Sequence, residues 1–330
     1  MQLDLFGSAP VPAGGVSPAL VGEDLARIAA TLPRGVHLGT SSWAFPGWAG
    51  LVWRDRHGEA LLARRGLAAY AQHPLLRTVG VDRTHYQPVD RAQLAAWRAD
   101  VPDGFRFLVK AHEACTLAIW PTHARYGANR GAGNPRFLDP AYARDEVIGP
   151  FVDGLGAACG PLLFQFAAQP IEPLGGSPRR FAEKLYRFLR DLPRGPLYAV
   201  EVRNASLLTP DYAAALRAAG AVHCLAITPG MPPPIAQWKL AGASDHPALV
   251  ARWLLAPHHD YESAKAAYAP FDRLVDPDPS TRAQLATLVT DAMRRDVPAW
   301  IIANNKAEGS SPLTLAALAR DLVDGSEPPF

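Results

Sequence analysis

Glu201 and Arg203 stand two apart in the run AVEVRNAS at 199–206, a spacing that puts both side chains on one face of a strand. Ionised groups are costly on a face packed against helices, so the pair is expected to point into an open, polar end of a sheet. The same reasoning selects Ser41 and Trp43 at the end of the apolar run 36–42, and Asp82 and Tyr86 (with Thr84, if extension persists) at the end of 77–83. It also selects Lys110 closing 105–110, Gln165 in 161–166, Arg252 in 248–255 and Asn304 after 299–303. In such a mouth Arg203, Arg252 and Lys110 would hold an anion while Glu201 serves as general acid or base, with Lys110 and Asp82 as the other catalytic candidates. A structural alternative stands beside this: Glu201 with Arg203, and Lys110 with Asp82, as ion pairs that seal the fold.

A second candidate site lies in AWIIANNKAEGSSP at 299–312, which reads as strand, polar turn and helix. Ser311 suits an N-cap and Pro312 the first helical position. Free N–H groups in that first turn, with Lys306, Gly309, Ser310 and Ser311, make an anion site, and Asn305 joins Asn304 beside the substrate; the alternative is that Ser311 only caps and Gly309 only turns. A metal would need three or more carboxylates and imidazoles converging from different strands. Asp82, Glu201, His85 and His112 are the available donors, and Arg203 would repel a cation, so no dedicated metal and no cofactor are expected. His258-His259-Asp260 reads as a solvated loop.

The elements that must position these groups alternate along the chain. Strand-like runs at 36–42, 77–83, 105–110, 161–166, 197–202, 221–227, 248–255 and 299–303 are separated by helical patterns near 58–72, 91–100, 141–158, 178–191, 211–219 and 280–295, with further helices at 23–31 and 312–323. Eight βα units in 330 residues predict one α/β domain, a (β/α)8 TIM barrel over residues 19–330. A doubly wound open sheet is the runner-up, but it usually has a glycine-rich phosphate turn after its first strand, and this chain has none. Two long connections, 113–137 and 256–279, are expected to cover the rim.

GTSSWAFPGWAG at 39–50, TVGVDRTHY at 78–86, FRFLVKA at 105–111, GPLLFQF at 160–166, AVEVRNAS at 199–206 and IIANNKAEGSSP at 301–312 together resemble the YecE-like family, the domain of unknown function 72. The resemblance implies a TIM barrel and names no reaction. Two departures stand out: Gly80 where the family commonly has glutamate, and His85 where it commonly has phenylalanine.

Residues 1–18 read as a flexible tail, because 7–18 are mostly Gly, Pro, Ala and Ser. At its start, Gln2, Leu3, Leu5 and Phe6 resemble the short peptide by which bacterial repair and replication proteins dock on the β sliding clamp. The net charge of +2 argues against bulk attraction to nucleic acid or membrane. Cys115, Cys159 and Cys224 form no paired motif, and no stretch suits a bilayer span or an export signal, which points to a cytoplasmic protein. Two functions fit: an enzyme or binder for a small anionic or polyhydroxylated substrate such as a phosphosugar or nucleotide-like molecule, or a repair-associated nucleic-acid binder recruited through the N-terminal peptide.

Overall fold

A computed structural model describes residues 15–324. Eight parallel strands, β1 (Val36–Thr40), β2 (Leu76–Val81), β3 (Arg106–Lys110), β4 (Cys159–Phe166), β5 (Tyr198–Val202), β6 (Val222–Ile227), β7 (Leu249–Trp253) and β8 (Ala299–Ala303), pair in sequence order, and β8 closes on β1. This is the (β/α)8 TIM barrel, and its closure rules out the open doubly wound sheet. Several outer helices start as their sequences dictate: Ser177, Thr209 and Asp278 each accept a backbone N–H from the first turn, and each is followed by proline, whose missing N–H costs nothing there.

Alternation along each strand divides the core in two. One set of side chains, including Phe164 and Leu185, fills the layer between barrel and helices. The other set, Leu108, Leu163, Ala199, Val222, Val250 and Ile302 with Trp300, packs inside the barrel. Two residues beyond members of that inner set come Lys110, Gln165, Glu201, Arg252 and Asn304. The inner face is thus apolar along the strands and polar at their C-terminal ends, the end where TIM barrels do chemistry.

The structure departs from the sequence reading in five places. Helix Pro234–Leu240 follows β6, and helix Tyr261–Tyr268 occupies the connection read as a loop at 256–279. The helix expected at 141–158 is broken into short α, π and 3-10 segments. The strand expected through Arg83 stops at Val81, and Arg83–His85 turn as a 3-10 segment, so Asp82, Thr84 and Tyr86 do not share one extended face. Finally, Val16 is buried, Arg54 N–H donates to the Ser17 carbonyl at 2.9 Å and Pro18 bridges Trp53, so the chain is tied to the barrel before residue 18. Gln2, Leu3, Leu5 and Phe6 lie outside the described residues. No helix among the described residues is long and apolar enough to cross a membrane.

Candidate functional site

Arg252 is the hinge of the mouth. It rises from the inner face of β7 with its side chain 2% exposed and joins two carboxylates. Its Nη1 donates to Glu201 Oε2 at 2.9 Å, and its Nη2 spans both oxygens of Asp82 at 2.9 and 3.0 Å. Arg203 Nε donates to the other Glu201 oxygen at 2.6 Å, and the Cys224 thiol lies 3.8 Å from Oε2. Lys110 Nζ stands 3.8 Å from Asp82 Oδ1. Gln165 Oε1 lies 3.4 Å from Arg252 Nη1, and Asn304 Nδ2 donates to Ser41 Oγ at 2.9 Å. Residues from β3, β4, β5, β7 and the segment after β2 therefore converge in one charged network.

Exposure separates the members of that network. Glu201 and Arg252 are shut in, while the side chains of Arg203 and Asp82 remain 22% and 35% exposed. Burial alone would raise the Glu201 carboxyl, yet Arg203, Arg252 and Lys110 together outweigh it and hold the group at about 2. For Lys110 burial wins: it lowers the ammonium to about 8 despite the opposing pull of Asp82. Glu201 is thus a fixed anion with both oxygens engaged, whereas Lys110 sits near the pH at which proton transfer is efficient.

The remaining candidates fall into three groups. Ser41, Trp43, Gly80 and Asp82 line a cavity of about 140 Å³ beside the network. Trp43 packs edge-on against Trp97, and its Nε1 donates to the Ala63 carbonyl. Tyr86 is exposed at the rim, where the Arg125 guanidinium lies 4.7 Å over its ring. Arg125 also donates to the buried carboxylate of Glu113 at 2.8 Å, a bond within connection 113–137. The metal donors considered from sequence are already partnered: His85 Nδ1 lies 3.2 Å from the Ala111 carbonyl and His112 Nδ1 bonds the Tyr142 hydroxyl at 2.7 Å. Burial above all, then Lys110, keeps His85 neutral, with its pKa lowered to about 3.

The start of the final helix, Ser311–Asp324, is the main correction. The cap is Asn305, whose Oδ1 accepts from Ser311 N at 2.9 Å, Ser311 Oγ at 2.8 Å and Trp48 Nε1 at 3.1 Å. Asn305, Ser310 and Ser311 are buried, so none is open to an anion arriving from solvent. Gly309, at φ 116°, does permit a close approach, but the chain itself makes it: a Cβ there would sit 2.6 Å from the Arg273 carbonyl oxygen and 2.8 Å from Val275 N. Lys306 is buried too, its ammonium 4.0 Å over the Tyr261 ring. Sequence reasoning missed Glu113, Arg125 and Cys224; the position of Cys224, on an inward-facing apolar strand directly after β5, was the one readable signal.

Two larger concavities, about 420 and 600 Å³, open at the other end of the barrel, on residues that precede β2 to β5. That end ordinarily serves stability rather than chemistry, and no network of this kind lies there among the described residues.

The fold is shared with solved structures. One is a DUF72 family protein from Enterococcus faecalis V583, at 17% identity and TM-score 0.53, covering 88% of this chain and 97% of that one. Another is a DUF72 family protein from Thermotoga maritima MSB8, at 19% identity and TM-score 0.55, covering 88% and 99% respectively. No curated protein matches the sequence. The family model described as "Protein of unknown function DUF72" matches residues 37–329, from the first strand of the barrel past the last helix, and the chain belongs to that family.

Proposed function

We propose that the barrel mouth binds a small anionic or polyhydroxylated substrate, a phosphosugar or nucleotide-like molecule, and that Lys110 rather than Glu201 moves its proton. One observation carries this reading: three cations face two carboxylates, and Glu201 with Arg252 are spent on each other while Arg203 and Asp82 stay open to solvent. Arg203 uses only Nε on Glu201, which leaves its terminal nitrogens to fork onto a phosphate or carboxylate. In this reading Asp82 and Gln165 accept hydrogen bonds from substrate hydroxyls, with Ser41 and Asn304 at the edge. Lys110, near 8, accepts a proton when neutral and returns it when charged. Mass spectrometry of the freshly purified chain tests the reading: the wild-type protein should carry a phosphorylated or carboxylated small molecule that Arg203→Gln loses. No retained anion, together with no thermal stabilisation by any sugar phosphate, would leave only the sealed ion-pair network.

A second reading, nucleic-acid binding with recruitment to a sliding clamp through Gln2, Leu3, Leu5 and Phe6, draws support from the rim. Tyr86 and Tyr261 are both more than half exposed, and Arg125 lies beside the first, a combination suited to stacking unpaired bases. Fluorescence anisotropy with labelled single-stranded DNA should then show salt-sensitive binding that Tyr86→Ala weakens. Binding of the 1–18 peptide to the clamp, lost on replacing Leu5 and Phe6 with alanine, tests the recruitment separately.

A further inference from the structure

We propose that His258, His259 and Asp276 form a binding site for a divalent first-row transition ion, Zn²⁺ or Co²⁺ in character, on the rim of the barrel and separate from the charged mouth. His258 Nε2 lies 3.1 Å and His259 Nε2 3.4 Å from the same oxygen, Asp276 Oδ2, and one ligand atom from each residue falls within 4.8 Å of the others. An ion bound at about 2.0–2.1 Å in tetrahedral geometry holds its ligands about 3.4 Å apart, so both nitrogen–oxygen pairs already stand near coordination spacing.

Hydrogen bonds hold the cluster from behind. Ser263 Oγ lies 3.1 Å from His259 Nδ1 and 3.2 Å from the Asp260 carbonyl oxygen. With Nδ1 facing that hydroxyl, His259 Nε2 faces the carboxylate oxygen 3.4 Å away, a gap that a metal ion or a proton can fill. The Tyr268 hydroxyl donates to Asp276 Oδ2 at 2.6 Å. A phenol behind the carboxylate and a serine behind the imidazole are the kind of outer hydrogen bonds that orient metal ligands.

The ligands come from two segments anchored to the barrel. His259 N–H donates to the Ala256 carbonyl, Ala256 N–H to that of Lys306, and Asp276 N–H to that of Glu308. Tyr268 is buried, so its end of the cluster is rigid, while the His258 side chain is 60% exposed and gives an ion its way in. Two imidazoles and one carboxylate suit Zn²⁺, Co²⁺, Ni²⁺ or Fe²⁺ better than Mg²⁺ or Ca²⁺, and three protein ligands leave a position open to water or another ligand.

The test is a Co²⁺ titration of the full chain, without a histidine tag, followed by visible absorption and then by displacement with Zn²⁺. The expected result is one equivalent of Co²⁺ with the intense d–d bands of a low-coordinate site, displaced by one equivalent of Zn²⁺. Binding should weaken at least about tenfold in Asp276→Asn and disappear when both histidines are alanine. His258→Ala alone, a change at a mostly exposed side chain, should weaken binding without moving the thermal midpoint of the metal-free protein. No band at micromolar Co²⁺, or equal binding by wild type and His258→Ala, overturns the proposal and leaves an imidazolium–carboxylate pair.

Discussion

At the scale of single residues, Glu201 and Lys110 exchange the roles that their chemical types suggest. A carboxylate beside an arginine looks like a proton-transfer group, but with both oxygens engaged and its pKa near 2, Glu201 works as a counter-ion that holds Arg203 and Arg252 in place. Glu201→Gln should therefore destabilise the fold by roughly 3–5 kcal/mol in urea unfolding, because it leaves Arg203 without its carboxylate and the buried Arg252 with Asp82 alone. The sign of its pH dependence follows from a folded value below the ordinary 4.5: its contribution is full above about 4.5 and is lost as the pH falls toward 2, and the variant should lack that segment. Lys110 acts with the same sign in a more alkaline window. Its folded value of about 8 lies below the ordinary 10.5, so between those limits the unfolded chain binds more protons and stability rises with pH. Lys110→Met should flatten the stability profile between pH 8 and 10.5 and, by removing one of the three cations that hold Glu201 down, shorten the acid limb.

At the scale of elements, the strands were legible and the contacts between distant segments were not. The step from Leu163 to Gln165, Ala199 to Glu201 and Val250 to Arg252 is visible as a period of two, and it places the polar ends of β4, β5 and β7 at one mouth without any knowledge of tertiary structure. The 3-10 turn at Arg83–His85 had no such signal, and extending β2 through it misjudged the direction of Thr84, whose hydroxyl donates to the Val81 or Lys110 carbonyl. The cap of the final helix was hidden for a different reason. Asn305 is oriented partly by Trp48, 257 residues away in sequence, and Gly309 is required by a segment that precedes β8. Gly309→Ala should cost about 2 kcal/mol or more through that backbone clash and leave anion affinity unchanged, a separation readable by thermal melts alongside titration with inorganic phosphate. The helix Tyr261–Tyr268 was equally concealed: it is short, and its capping box of Asp260 and Ser263 looks like ordinary loop chemistry.

At the scale of the whole molecule, burial sets the response to acid. His37, His73, His112, His223 and His246 have pKa values lowered to about 4 and His85 to about 3, with desolvation the largest cause in each. Each binds a proton near pH 5 only when the chain unfolds, so stability should fall as the pH drops from about 6.5 toward 4, with uptake of several protons on unfolding measurable by calorimetry in paired buffers. The mouth should respond to ligand through the same linkage. An anion seated beside Lys110 raises its pKa from about 8, so binding at pH 8 should draw up to about half a proton from the buffer. Calorimetric titration of a sugar phosphate into the protein at pH 8, in two buffers of different ionisation enthalpy, tests the anion site most directly. The predicted result is saturable binding with proton uptake that vanishes in Lys110→Met and affinity that falls about tenfold or more in Arg203→Gln. Absence of binding by every anion tried, or binding with no proton uptake and unchanged affinity in both variants, would contradict it.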